Sequence, residues 1–203
     1  MAFPYRLICW GLLTALAWGD GNPGLLLDKL RQMDVVHHWV AGLERIDWRS
    51  GDPDPKLPPR DKTGTHCSAF VAAAGERLGI YILRPPEHKA TFLASAQHDW
   101  LNSREGREAG WERLEDAHEA RDRANDGQLV VASWRNPVPN KPGHIAVVVP
   151  SDWSDERVDR EGCEIMQAGR NNYLSASLRE GFINHPTAFV GGEIQFHAHA
   201  TEF

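Results

Sequence analysis

The stretch GTHCSAFVAAAGERLG, residues 64–79, decides how the rest of the chain is read. A glycine-containing loop feeds a helix expected over residues 68–78 and closed by Gly79, and Cys67 falls in the first turn. The unsatisfied amides of a helix start favour negative charge, so this position should lower a thiol's pKa and raise the nucleophilic thiolate fraction. Ala69, Ala72, Ala73 and Ala74 keep the helix thin enough to pack closely on a sheet.

On the N-terminal side lies a Pro-, Gly- and Asp-rich segment, RSGDPDPKLPPRDKTGT (residues 49–65), which turn chemistry assigns to a loop. Before it, Leu26, Leu30, Met33, Val36, Val40 and Leu43 recur at spacings of three and four, predicting an amphipathic helix over residues 25–43. On the C-terminal side, further helices are expected over residues 89–102 and 111–125. Beyond Asp126-Gly127 the pattern changes. Residues 129–133, 144–149, 164–168 and 192–199 read as strands separated by Pro, Gly and Asn turns. Helices first and strands second indicate an α+β fold, with the early helices packed on an antiparallel sheet.

Residues 1–17 stand apart. Arg6 precedes an apolar run, LICWGLLTALA, of about eleven residues, which is signal-peptide length where a spanning helix needs about 20. Ala15 and Ala17 form an A-x-A-type cleavage site. The reading is a signal peptide over 1–17, one domain over 18–203, a secreted or periplasmic protein, and no stable membrane insertion after cleavage. Removing Arg6 from 22 basic residues leaves 21 against 28 acidic, a net charge of −7 that disfavours nucleic acid as a partner. Two cysteines remain, Cys67 and Cys163, and an oxidising compartment would let them pair, so a disulfide competes with a nucleophile at position 67.

The second chemical group is His144, which opens the strand HIAVVVP after the loop NPVPNKPG. Alternation puts His144, Ala146 and Val148 on one face, with the small Ala146 leaving room for a helix. The third is Gln167 in EIMQAG, a polar side chain sharing a face with Ile165. Its carbonyl can accept the imidazole N–H, fix the tautomer and leave the other nitrogen to deprotonate Cys67. Asn171 and Asn172 are rivals for that role. His66 and Ser68, flanking the cysteine, together with Asn171 and Trp134, are candidate substrate contacts. His197 and His199 share a strand face, but with Glu193 and Gln195 beside them the face reads as solvated and no metal site is expected.

THCSAF (65–70), GQLVVASW (127–134), GHIAVVVP (143–150) and IMQAG (165–169), in this order, resemble the cysteine, second-strand, histidine and third-polar motifs of the NlpC/P60 and CHAP superfamily of papain-like peptidoglycan hydrolases. The resemblance spans residues 63–172. It implies a papain-like α+β fold, Cys67 as nucleophile, His144 as base and Gln167 as orienter. It also implies no cofactor or metal, and cleavage of amide bonds in peptidoglycan stem peptides or at the sugar–peptide junction. Many members carry Asp before the cysteine, where this chain has His66. The same constellation would serve an acyltransferase or transglutaminase-like enzyme. A toxin aimed at competing bacteria would bring an immunity or inhibitor protein as partner. With Cys67 locked to Cys163, the fold would instead be a non-catalytic wall-binding module.

Overall fold

The computed structural model describes residues 21–203, so the signal-peptide reading of 1–17 lies outside the described residues. Along the chain come α1 (Pro23–Arg31), α2 (Cys67–Arg77), α3 (Leu93–Leu101), α4 (Arg104–Glu108), β1 (Glu112–Leu114), α5 (Ala117–Asn125) and β2 (Leu129–Trp134). They are followed by β3 (His144–Val148), α6 (Asp155–Glu161), β4 (Glu164–Gln167), β5 (Tyr173–Ser177), α7 (Leu178–Gly181), α8 (Pro186–Val190) and β6 (Gln195–His199). The six strands form one open antiparallel sheet in the order β1-β6-β2-β3-β4-β5. The fold is mixed α+β, as the order of elements in the sequence indicates.

Both faces of the sheet are covered. Leu129, Val131, Ile145, Val147 and Met166 point toward one apolar cluster built on α1 and α2, with Phe70, Val71, Ala72 and Ala74 contributed by α2. Val130, Ala132, Ala146, Val148, Ile165 and Ala198 point into a second cluster closed by Ala120 and Ala124 of α5, Leu178 of α7 and Ala188 of α8. Double coverage explains why β2 and β3 are buried at every position and read as near-continuous apolar runs. The later, shorter helices form this second layer, which no long apolar periodicity in the sequence announces. The helix beside β3, α2, packs on the Ile145 and Val147 side, so Ala146 does not make room for it; Ala146 and, by the same alternation, His144 at the strand start face the second layer instead, where Phe182 meets the His144 ring.

Several boundaries differ from the sequence expectation. The helix expected over 25–43 stops at Arg31. It starts as its residues dictate, with Asn22 Oδ1 accepting the Leu25 N–H at 3.0 Å and Pro23 in the first turn. It ends because a tertiary bond outcompetes helix continuation: the Asn172 amide donates to the carbonyls of Val35 at 2.6 Å and His38 at 2.9 Å, while Asp34 and Trp39 take positive φ. Val36, Val40 and Leu43 accordingly lie exposed, and Val35 and Trp39 enter the core in their place. The segment 111–125 splits into β1 and α5, because Asp116 caps a new helix by accepting from the His118 and Glu119 amides, both at 2.9 Å. Upstream of that cap, the preceding residues pair with β6.

Candidate functional site

Cys67 is the first residue of α2, and His66 before it makes no side-chain cap bond. The sheet brings β3 under this helix start. The backbone amide of Ile145 reaches the Cys67 sulfur, as do the amides of Cys67 and Ser68 at the helix start. These three donors pull the thiol pKa down, but burial outweighs them and the net direction is up. With the residue 5 % exposed, the expected lowered pKa is therefore corrected in this resting state: desolvation of a thiolate costs more than the helix-start amides return.

His144, one residue before the Ile145 amide, is also buried, and burial lowers its pKa against a smaller raising effect of the Gln167 hydrogen bond. His144 Nε2 and Gln167 Oε1 are 2.8 Å apart. The Gln167 amide nitrogen donates to the Asn171 carbonyl at 3.3 Å, which assigns Oε1 as the acceptor facing the ring. Neutral His144 thus carries its proton on Nε2 and keeps Nδ1 as a lone pair, the tautomer a general base needs. Two glycines make room for this pair. A side chain at Gly181 would meet Gln167 Oε1 at 2.8 Å and Ile165 Cδ1 at 2.3 Å, and one at Gly169 would meet Gln167 Nε2 at 3.2 Å.

Of the rivals, Asn172 is occupied elsewhere: besides its two carbonyl contacts near α1, its oxygen accepts the Gly169 amide at 2.9 Å. Asn171 is exposed, and it serves the site through its backbone, as the acceptor of Gln167. Ser68 is buried, with its carbonyl taking a hydrogen bond from Gln97 Nε2 at 3.0 Å, which ties α2 to α3. Trp134 is 4 % exposed and donates from Nε1 to Glu193 at 2.8 Å. Its indole packs on His185 behind His144 and offers little open surface to a substrate. His66 is buried with Nε2 unpartnered, and burial, then the nearby Arg60 charge, lowers its pKa to about 4, so the ring is neutral.

Three groups escaped the sequence reading. Phe182 packs edge-on against the His144 ring at 4.7 Å, and His185 lies at 5.8 Å from it, tilted between His144 and Trp134. Arg60 sits in the 49–65 loop with its guanidinium against Gly64, near His66. Phe182 and His185 come from the turn between α7 and α8, which carries no periodic signal. Arg60 resembles any other charge in a polar loop.

Cys163 does not compete for Cys67. Both thiols are free, and Cys163 is fully buried in the cluster on the other face of the sheet, its pKa pushed up to about 12 by burial. His197 is corrected as well: α3 and α4 cover its face of the sheet, so the ring is 1 % exposed instead of solvated. His199 engages backbone carbonyls at both ring nitrogens, Ala200 at 2.6 Å and Ala109 at 2.9 Å. Among the described residues no group of three or more His, Cys, Asp or Glu side chains is placed to hold a metal ion, and no helix is long and apolar enough to cross a membrane. The chain matches no protein-family model and no curated protein.

Proposed function

We propose that this chain is an exported cysteine hydrolase of papain-like, NlpC/P60- or CHAP-type architecture that cuts amide bonds in peptidoglycan peptides. The observation that carries the reading is the oriented imidazole: a buried His144 whose Nε2–H is fixed by Gln167, at the start of the strand whose next amide meets the Cys67 sulfur. The substrate class rests on the ordered sequence motifs.

The chemistry is acyl transfer in two halves. His144 Nδ1 takes the thiol proton as the Cys67 sulfur attacks the amide carbonyl, and the resulting imidazolium is held by Gln167 Oε1. The oxyanion would be met by backbone amides at the α2 start, whose N–H groups lie beside the Cys67 sulfur. Imidazolium then protonates the leaving amine, breaking the C–N bond and leaving a thioester on Cys67. Water, deprotonated by His144, attacks the thioester and returns the thiol. Because the resting pair is neutral thiol and neutral imidazole, the proton moves only as the substrate carbonyl arrives, when developing charge has the amides to stabilise it.

The test is mass-spectrometric analysis of purified peptidoglycan fragments after incubation with the protein and with its Cys67→Ala and His144→Ala variants. New fragments that vanish in both variants are expected, and their masses identify the bond. Intact fragments under conditions where the protein is folded would refute the assignment.

A further inference from the structure

Two strands away from His144 is a second built feature, a cavity of about 440 Å³ lined by Asn102, Arg107, Gly110, Trp111, Arg113 and His197, with Leu101 and Glu112 completing it. Arg113 of β1 and His197 of β6 are directly opposed across the antiparallel pair, so their side chains share a sheet face. Asn102, the residue that ends α3, gathers both guanidiniums: Arg107 Nη1 donates to its backbone carbonyl at 2.9 Å and Arg113 Nη1 to its side-chain oxygen at 3.3 Å. The Asn102 amide is itself held by the His98 carbonyl at 2.8 Å.

What the cavity lacks is a carboxylate paired with its two arginines. Neither Arg107 nor Arg113 is ion-paired to a carboxylate among the described residues, although the chain as a whole is acidic at −6. Glu112 points to the other face of the sheet by strand alternation and is bound to Arg123 at 2.5 Å. Glu108 is taken by Arg104 at 2.6 Å. Glu105 feels the Arg107 charge from the first turn of α4. Within the lining, His197 is 1 % exposed with both ring nitrogens unpartnered. An orphaned buried imidazole costs free energy unless something fills its hydrogen bonds, and two guanidiniums drawn to one amide without a countercharge repel each other.

We propose that this cavity binds an oxoanion, the carboxylate or phosphate group of a small ligand, gripped by Arg107 and Arg113 and receiving an N–H from His197. The guanidinium forks match the spacing of oxygens on either group, and one neutral imidazole nitrogen supplies a further donor. The site is separate from the hydrolytic one. His197 is opposite Val131, which is opposite Val147, so the ring lies two strands over and three residues along from His144, roughly 14 Å by strand spacing and rise.

The experiment is a titration of the full-length protein with sodium phosphate and, separately, sodium acetate at constant ionic strength, following the ring resonances of isotope-labelled His197. A saturable shift with at least one anion is expected, weakened about tenfold or more in Arg113→Gln and Arg107→Gln and unchanged in Cys67→Ala. Preference for phosphate or acetate tells which group the site is shaped for. Both arginines are exposed, so their replacement leaves the core intact, and far-UV dichroism verifies this. A response that grows linearly with either anion, or one that survives the Arg107→Gln/Arg113→Gln double variant, overturns the proposal.

Discussion

Replacing Gln167 tests the site at the bond that defines it. In Gln167→Ala the His144 Nε2–H loses an acceptor 2.8 Å away in a buried setting, a loss of about 1–2 kcal/mol for a neutral hydrogen bond whose donor is left unpaired. If that bond holds the imidazolium in the transition state, kcat/KM should fall roughly 5- to 30-fold. The pH dependence carries more information. Burial lowers the His144 pKa and Gln167 partly offsets this, so removing Gln167 lowers it further and moves the acidic limb of kcat/KM to lower pH while the plateau drops. Gln167→Glu places a carboxylate on the same nitrogen, favours imidazolium, and should move the limb to higher pH. The assay is initial-rate hydrolysis of a purified peptidoglycan peptide between about pH 4 and 9, where histidine titrates. Opposite displacements in the two variants are the expected signature. Equal limbs in all three proteins would show that Gln167 does not govern the base, and the catalytic reading of this pair would fail.

Stability should weaken on the acid side. His66, His144 and His197 all have folded pKa values below the ordinary imidazole value, to about 4 for the first and third, so their contribution is full above about pH 6.5 and is lost as pH falls toward the folded values. Urea unfolding at pH 7.5 and pH 5 should show the loss, and His66→Gln, which removes one of these rings, should flatten the dependence. Asn172→Ala frees the carbonyls of Val35 and His38 and should cost about 1–3 kcal/mol of unfolding free energy, read as a lower urea midpoint. Because Cys67 and Cys163 are both buried thiols, native protein should react slowly with a thiol reagent and release two equivalents from residues 21–203 only when unfolded. Cys163→Ala should leave hydrolysis unchanged.

Where the sequence was legible, local and tertiary preferences agreed. The α2 helix has alanines along its buried face and Gly79 at positive φ just past its end, so its limits could be read within a residue. The strands β2 and β3 announced themselves by length and valine content, and the bonded pair His144 and Gln167 stood at a strand start and in a broken alternation. Elsewhere a distant residue decided. Nothing near Asp34 tells that Asn172, far along the chain, takes the carbonyls a longer α1 would have used. The strand β1 is three residues, two of them charged, made a strand by its pairing with β6. The thiol's raised pKa depended on burial that no single segment encodes.

The position of β6 in the sheet has a consequence for how the chain acquires its shape. β2, β3 and β4 are successive along the chain and neighbours in space, apart from the α6 excursion, so the part of the sheet bearing His144 and Gln167 can assemble from near-neighbour contacts. β1 has no such neighbour. It waits for a strand more than 80 positions later to slip between it and β2, closing a long loop before any contact rewards the closure. Until then, Trp111 and Leu114 and the valines of β2 have an open flank, an unpaired edge that holds the nascent chain in a pliable, threadable form and exposes it to self-association. Weakening β6 with a proline at Phe196 should therefore slow refolding and raise aggregation before it alters the chemistry at Cys67.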